Sequence, residues 1–163
     1  MERKSFADMP CPVAHALEHV GDPWGLLIVR DALHGLSRFD DFHRSLGIST
    51  SSLTRRLNEL VAAGVLERRL YQERPKRYEY VLTTAGQDLK PVVAALAAWG
   101  MTHDPPDASP VVLVDDTTGM LVDPVVIDRN TGRDVADAAI VFRPGPDATE
   151  FDRRHRGPAP TPS

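Results

Sequence analysis

Between Gly47 and Tyr71 the chain reads GISTSSLTRRLNELVAAGVLERRLY, and the period of its apolar residues changes partway along. Leu53, Leu57, Leu60 and Val61 recur at helical spacing and define one face of an amphipathic helix. Ser49 offers the N-cap and Gly64 closes the helix. Beyond Gly64 the pattern alternates, so VLERRLY and YEYVLT read as two half-exposed strands, joined by the charged turn QERPKR with Pro75 at its tip. A helix that passes directly into a short hairpin leaves few folds open.

The preceding residues narrow the choice further. SRFDDFHRSLG predicts a short helix with Phe39, Phe42 and Leu46 inward and Gly47 as its stop, which sets two helices only a few residues apart. Upstream, Val13, Ala16, Leu17 and Val20 have helical spacing, and Gly21-Asp22-Pro23 breaks the chain before WGLLIVRDALHG. That segment is mostly apolar and is expected at the centre of the domain with Trp24 as its anchor. After the hairpin, TTAGQDLKPVVAALAAWGMTH predicts a last helix, capped by Thr83 or Thr84, with Leu89, Val92, Val93, Leu96 and Trp99 as its stripe. Pro91 should kink it or mark a late start.

The expected architecture is therefore mainly α with a small β-hairpin wing, a winged helix-turn-helix over residues 1–103. DPPDASP (104–110) is a linker, and VVLVDD, PVVID and AAIVF predict a small β-rich extension over 111–143. From 144 to 163 the chain is rich in proline, glycine and charge and has little to bury, so a disordered tail is expected.

Charge is distributed unevenly along the 163 residues, whose formal net charge is −4. From Arg44 to Tyr78 eight basic residues face three acidic ones, whereas from Asp104 to Asp152 eleven acidic residues face three arginines. A polyanionic partner would be drawn to the first region and repelled by the second. With Leu53 and Leu57 inward, Ser51, Arg55 and Asn58 turn to the opposite face, flanked by Ser52, Thr54 and Arg56. Such a helix fits a major groove, and its side chains supply donors and acceptors for base edges and phosphates. Arg55 is the first candidate for base reading. Ser49, Thr50, Ser51, Ser52, Thr54, Arg56 and Asn58 complete the candidate DNA-binding set on the helix, and Arg74, Lys76 and Arg77 in the hairpin turn would reach adjacent phosphates or the minor groove. A solvated charged face accounts for any single arginine. It does not account for the joint pattern of an exposed Ser/Thr/Arg helix and a basic hairpin within an acidic chain.

Three blocks, CPVAHALEHVGDPWGLLIVRDALHG, RFDDFHRSLGISTSSLTRRLNELVAAGVLERRLY and RYEYVLTTAGQDLKPVVAALAAWG, resemble in order and spacing the HxlR-type transcriptional regulators, relatives of the MarR group. The resemblance covers about residues 10–103. It implies a homodimer built on the first and last helices that binds a palindromic, double-stranded DNA operator and represses, or less often activates, nearby genes. Two-fold symmetry would set the two reading helices roughly 34 Å apart.

Cys11 is the sole cysteine. With Pro12 at the first helical position it falls at the N-cap, where the helix dipole favours a thiolate. In redox-sensing proteins of the resembled family the cysteine of this CP pair is the sensor. Here a redox role requires a bridge across the dimer or a mixed disulfide with a small thiol, and a structural, partly buried cysteine is the competing reading. His15 and His19 have a spacing that can hold a metal, but no third ligand is evident, so no metal or other cofactor is expected. Some proteins of the resembled family continue into a zinc ribbon with two C-x-x-C-G knuckles. This chain has Asp115-Asp116-Thr117-Thr118-Gly119 and Asp128-Arg129-Asn130-Thr131-Gly132, a repeated D-x-x-T-G, which reads as a ribbon that has lost its zinc. Asp115, Asp116 and Asp128 could hold a hard cation, though solvated turn aspartates are the simpler reading.

No run approaches the ~18 apolar residues needed to cross a bilayer, and MERKSFADMPCPVAHALEHV lacks the apolar block of a signal peptide, so a cytoplasmic location is expected. There is no phosphate loop and no nucleophile with recognisable flanks, so no enzyme is expected. Two alternatives stay open: a protein-interaction module using the winged helix and acidic tail, and a thiol enzyme working through Cys11 with His15.

Overall fold

The computed structural model describes residues 5–103 and 111–157. Helices α1 (Pro12–Val20), α2 (Pro23–Leu33), α3 (Phe39–Leu46) and α4 (Thr50–Ala62) precede strands β1 (Leu66–Glu73) and β2 (Lys76–Leu82). A single turn, α5 (Thr84–Gln87), leads into α6 (Lys90–His103), and α7 (Glu150–Arg156) lies near the C-terminus. Contacts divide the chain into two units at Val122 and Asp123.

The core of the first unit forms where α2, α3, α4 and the hairpin meet. Ile28, Val29, Phe42, Leu53 and Leu57 are fully buried there, with Leu60 and Leu66 close to it. Local signals set the boundaries. Ser49 caps α4 by accepting from the Ser52 N–H at 3.2 Å. Gly47, at φ 63°, turns α3 into that cap. At the far end of α4 the Val65 N–H bonds the Leu60 carbonyl and the Gly64 N–H bonds that of Val61, a Schellman closure with Gly64 at φ 70°. The residues it brackets, Leu60 and Val65, both enter the core, so the same turn that ends the helix aims β1 back across the domain.

β1 and β2 pair antiparallel with Leu66 opposite Leu82 and Leu70 opposite Tyr78, and the register shifts between Leu70 and Gln72. Regular pairing resumes as far as Glu73 and Lys76, so the strands run further and the turn is shorter than the QERPKR segment suggested. Arg38 adds a bridge to Glu79, reinforced by the Tyr80 N–H donating to the Ser37 carbonyl at 2.7 Å. The wing is thus tied to the segment that enters α3.

One packing expectation is corrected. Trp24 does not anchor the core and is 37% exposed. The inward sector of α2 is Gly25, Ile28 and Val29, and Trp24 precedes it by about 100° of helical rotation. The last helix starts late, as Pro91 suggested: Thr83 caps the single turn α5, and α6 begins at Lys90, one residue before Pro91. Leu89 and Val93 pack against the core, but Val92, Leu96 and Trp99 are exposed because α6 runs beyond it, and α6 buries no residue fully.

The extension forms turns rather than strands. Val114 bridges Leu121, Ile127 bridges Asp134, and the AAIVF run has no ladder partner among the described residues. Among the described residues each of these bridges closes directly on a tight turn and no longer ladder follows. The tail expected to be disordered carries α7, because Thr149 and Asp152 form a reciprocal capping box and Arg154 pairs with Glu150 one turn away.

Candidate nucleic-acid interface

The buried positions of α4, Leu53, Leu57 and Leu60, fix which of its side chains face outward. Thr50, Ser51, Thr54, Arg55, Asn58 and Glu59 line one open surface along the helix. The Thr54 hydroxyl donates to the Thr50 carbonyl at 2.8 Å, which leaves its oxygen free to accept from outside. Ser49 and Ser52 are occupied with each other at the cap, their hydroxyls 3.0 Å apart. They hold the helix start more than they present groups to a partner. Arg55 extends from this face with its side chain 59% exposed and Nη1 3.7 Å from Glu59 Oε1.

Arg56 stands apart from this set. Its side chain is only 14% exposed, with Nη2 2.6 Å from Asp22 Oδ2 and Nη1 donating to Glu59 Oε2 at 2.8 Å. The two adjacent arginines of α4 therefore have different surroundings, one exposed on the open face beside Glu59 and one clamped against the end of α1 and start of α2.

On the wing, Arg74, Lys76 and Arg77 are all exposed at the hairpin end. Deeper in the hairpin Arg68 lies over the Tyr78 ring at 3.6 Å from its centroid, and Arg69 pairs with Glu67. Arg38 lies 4.9 Å from the centroid of Tyr71, in the half of β1 nearer the turn. Glu59, Asp22, Arg38 and Arg68 were not singled out in the sequence. The Arg56–Glu59 spacing of three residues could have revealed one of these pairs, but no local signal joins Asp22 to Arg56.

Cys11 is the N-cap of α1, half-buried, and its side chain makes no capping hydrogen bond. His15 and His19 are exposed, and among the described residues no group of three or more His, Cys, Asp and Glu side chains gathers as a metal ligand set. The two D-x-x-T-G segments fold alike. Gly119 N–H donates to the Asp115 carbonyl and Gly132 N–H to that of Asp128, each at 2.7 Å, with the glycines at φ 70° and 68°. The Asp115 carboxylate accepts from the Thr117 N–H at 2.8 Å, and Asp128 accepts from the Thr131 hydroxyl at 2.6 Å and the Asn130 N–H at 3.0 Å. These hydrogen bonds hold both carboxyls below the ordinary aspartate value, led by the Thr117 N–H for Asp115 and by the Thr131 hydroxyl for Asp128.

A helical core, a fourth helix with an exposed polar face reached through a tight turn and a basic two-stranded wing together define a winged helix-turn-helix protein. The chain belongs to the HxlR-like helix-turn-helix family, whose model matches residues 19–108, and is a transcriptional regulator of the helix-turn-helix type. The uncharacterised HTH-type transcriptional regulator Rv3095 of Mycobacterium tuberculosis is 39% identical over 135 residues, which span 82% of this chain and 85% of that one. PA1607, assigned as a transcription factor, has a crystal structure similar at a TM-score of 0.73 and 37% identity, covering 84% of this chain and 98% of its own. The redox regulator HypR in its oxidised form is similar at a TM-score of 0.54 and 33% identity, covering 60% of this chain and 100% of its own. No helix among the described residues is long and apolar enough to cross a membrane.

Proposed function

We propose that this regulator binds a palindromic operator as a homodimer, with α4 in the major groove and the wing tip on neighbouring phosphates. The observation that carries the reading is the division of α4: Leu53, Leu57 and Leu60 lock one face into the core, which leaves Thr50, Ser51, Thr54, Arg55 and Asn58 on the other with no structural task that requires them all. Arg55 reads a base edge, and Arg74, Lys76 and Arg77 supply the salt-dependent attraction to the backbone. The exposed apolar residues Val13 and Leu17 on α1 and Val92, Leu96 and Trp99 on α6 support dimerisation through these two helices. Repression is the simplest consequence of operator occupancy next to a promoter.

Cys11 makes a thiol response part of the proposal. Its place at the start of α1, a helix of the proposed dimer face, means that a disulfide or an adduct there would shift the spacing of the two reading helices. The likeness to a redox regulator supports this reading. The C-terminal turns read as ribbon-like knuckles closed by hydrogen bonds between aspartate and threonine instead of by a metal.

The test is a gel shift on DNA upstream of the protein's own gene at two salt concentrations, reduced and then oxidised. Salt-sensitive, sequence-preferring binding supports the reading, and its absence at low salt refutes it. Reversible loss of binding on oxidation, abolished in Cys11→Ser, supports the switch. Binding indifferent to oxidation removes it and leaves the regulator.

A further inference from the structure

One acidic side chain stands on the exposed face of the reading helix. Glu59 is 48% exposed beside Arg55 and Asn58, where a carboxylate repels phosphate and lowers affinity for any duplex. Its two oxygens have separate partners: Oε1 lies 3.7 Å from Arg55 Nη1, while Oε2 accepts from Arg56 Nη1 at 2.8 Å. Arg56 directs its other terminal nitrogen to Asp22 Oδ2 at 2.6 Å. Asp22 is itself fixed, because its Oδ1 caps α2 by accepting from the Trp24 N–H at 3.0 Å. Charges of alternating sign thus run from the α1–α2 corner through Asp22, Arg56 and Glu59 to Arg55. Arg56 Nε is buried without a hydrogen-bond partner, so this guanidinium is held by its two carboxylates at the cost of one unsatisfied donor.

We propose that Glu59 is a positioning residue that sets the specificity of Arg55, and that the Arg56–Asp22 pair holds it in place. The inference rests on reading α4 as the base-contacting helix. A long, unrestrained arginine on a helix face can satisfy any nearby phosphate. A carboxylate fixed one turn away draws the guanidinium along the helix and makes phosphate contacts less favourable, so Glu59 supplies the repulsive element that separates the right site from others. It lowers affinity for random DNA and raises preference for the chosen one. Because its anchor is the residue that opens α2, a displacement of α1 at this corner is passed to the reading arginine through three side chains.

The test starts by selecting a preferred duplex from a random-sequence pool with the full-length protein. Affinities for that duplex and for a scrambled one are then measured at fixed salt for wild type, Glu59→Gln, Asp22→Asn, Arg55→Ala and the Arg55→Ala/Glu59→Gln double variant. Asp22→Asn keeps the oxygen that caps α2 and replaces the oxygen that accepts from Arg56 with an NH2 group, so the pair with Arg56 is lost while the cap stays. Glu59→Gln is expected to lower the preference for the selected duplex about tenfold while tightening binding to the scrambled one, the scale of losing one well-placed arginine–base contact. Asp22→Asn moves the preference the same way by a smaller factor. In the Arg55→Ala background Glu59→Gln tightens the selected and scrambled duplexes alike and leaves the preference unchanged, as coupling through a single partner requires. A preference within about twofold of wild type in Glu59→Gln, or an undiminished effect without Arg55, overturns the inference. Selection that enriches no duplex overturns the base-reading role of α4 itself, and this inference with it.

Discussion

Replacing Trp99 by alanine isolates the apolar face of α6 from the fold. The side chain is 62% exposed in the single chain and touches His103 at a centroid distance of 5.1 Å, outside the core. A tryptophan offers about 200 Å² for burial, so covering the exposed part removes roughly 120 Å² from water in each protomer. At ~25 cal/mol per Å² that is about 3 kcal/mol per protomer, doubled by two-fold symmetry. Incomplete coverage and side-chain ordering reduce the sum to about 3 kcal/mol per dimer, a rise in the dimer dissociation constant of roughly 100-fold. Sedimentation equilibrium of wild type and Trp99→Ala measures this directly, and circular dichroism should report an unchanged fold. The reasoning fails if wild type sediments as a monomer at tens of micromolar, or if the variant dimerises with unaltered affinity.

Further outcomes follow from the same structure. Arg55→Ala should cost ~1 to 3 kcal/mol on the selected duplex and relax preference at one base position, whereas Lys76→Ala should weaken all sequences alike and flatten the salt slope by ~1. Equal effects of both on selected and random duplexes would show that α4 is not the reader. Leu57→Ala, at a fully buried site, should lower unfolding free energy by about 2 to 5 kcal/mol in denaturant titration; a loss under about 1 kcal/mol would mean α4 is not seated as described. Asp115 and Asp128 have lowered pKa values, so in the unfolded chain each binds its proton at a higher pH than in the folded turn. Their contribution to the turns is complete above the ordinary aspartate value and is lost as pH falls through the lowered one. Carboxyl NMR titration should place both below the ordinary value, and Thr131→Val should raise Asp128 alone; titration of both at the ordinary value would refute the hydrogen-bonded turns.

Much of the α4 arrangement was legible from residue order. Leu53, Leu57 and Leu60 at helical spacing settle which side of the helix is buried, and Ser49 and Gly64 mark its ends because cap geometry depends on residues within a few positions of the terminus. The change of period at Gly64 defines the hairpin for the same reason: side-chain direction along a helix or strand is a local property of the backbone. The similar turns at Asp115 and Asp128 are also local, each closed by an aspartate carboxylate that accepts from a group two or three residues later.

Residue order put Arg55 opposite the buried face and Arg56 on its flank, but it could not show that Arg56 is held away from the open face. Arg56 is drawn inward by Asp22, which lies 34 positions earlier and reaches it only once α1 and α2 have packed beside α4. Trp24 likewise reads as a core anchor, and Trp99 as a core or dimer anchor, because hydrophobicity states that a side chain favours burial but not which surface will provide it. The position of α2 and the reach of α6 past the core decide that, and they leave the stripe of α6 open. The sequence by itself thus determined α4, its ends and the face of it that looks outward, all fixed by interactions within a few residues. Only the tertiary structure decided which arginine is exposed and which apolar face still lacks a cover, since both depend on what distant segments bring to the same place.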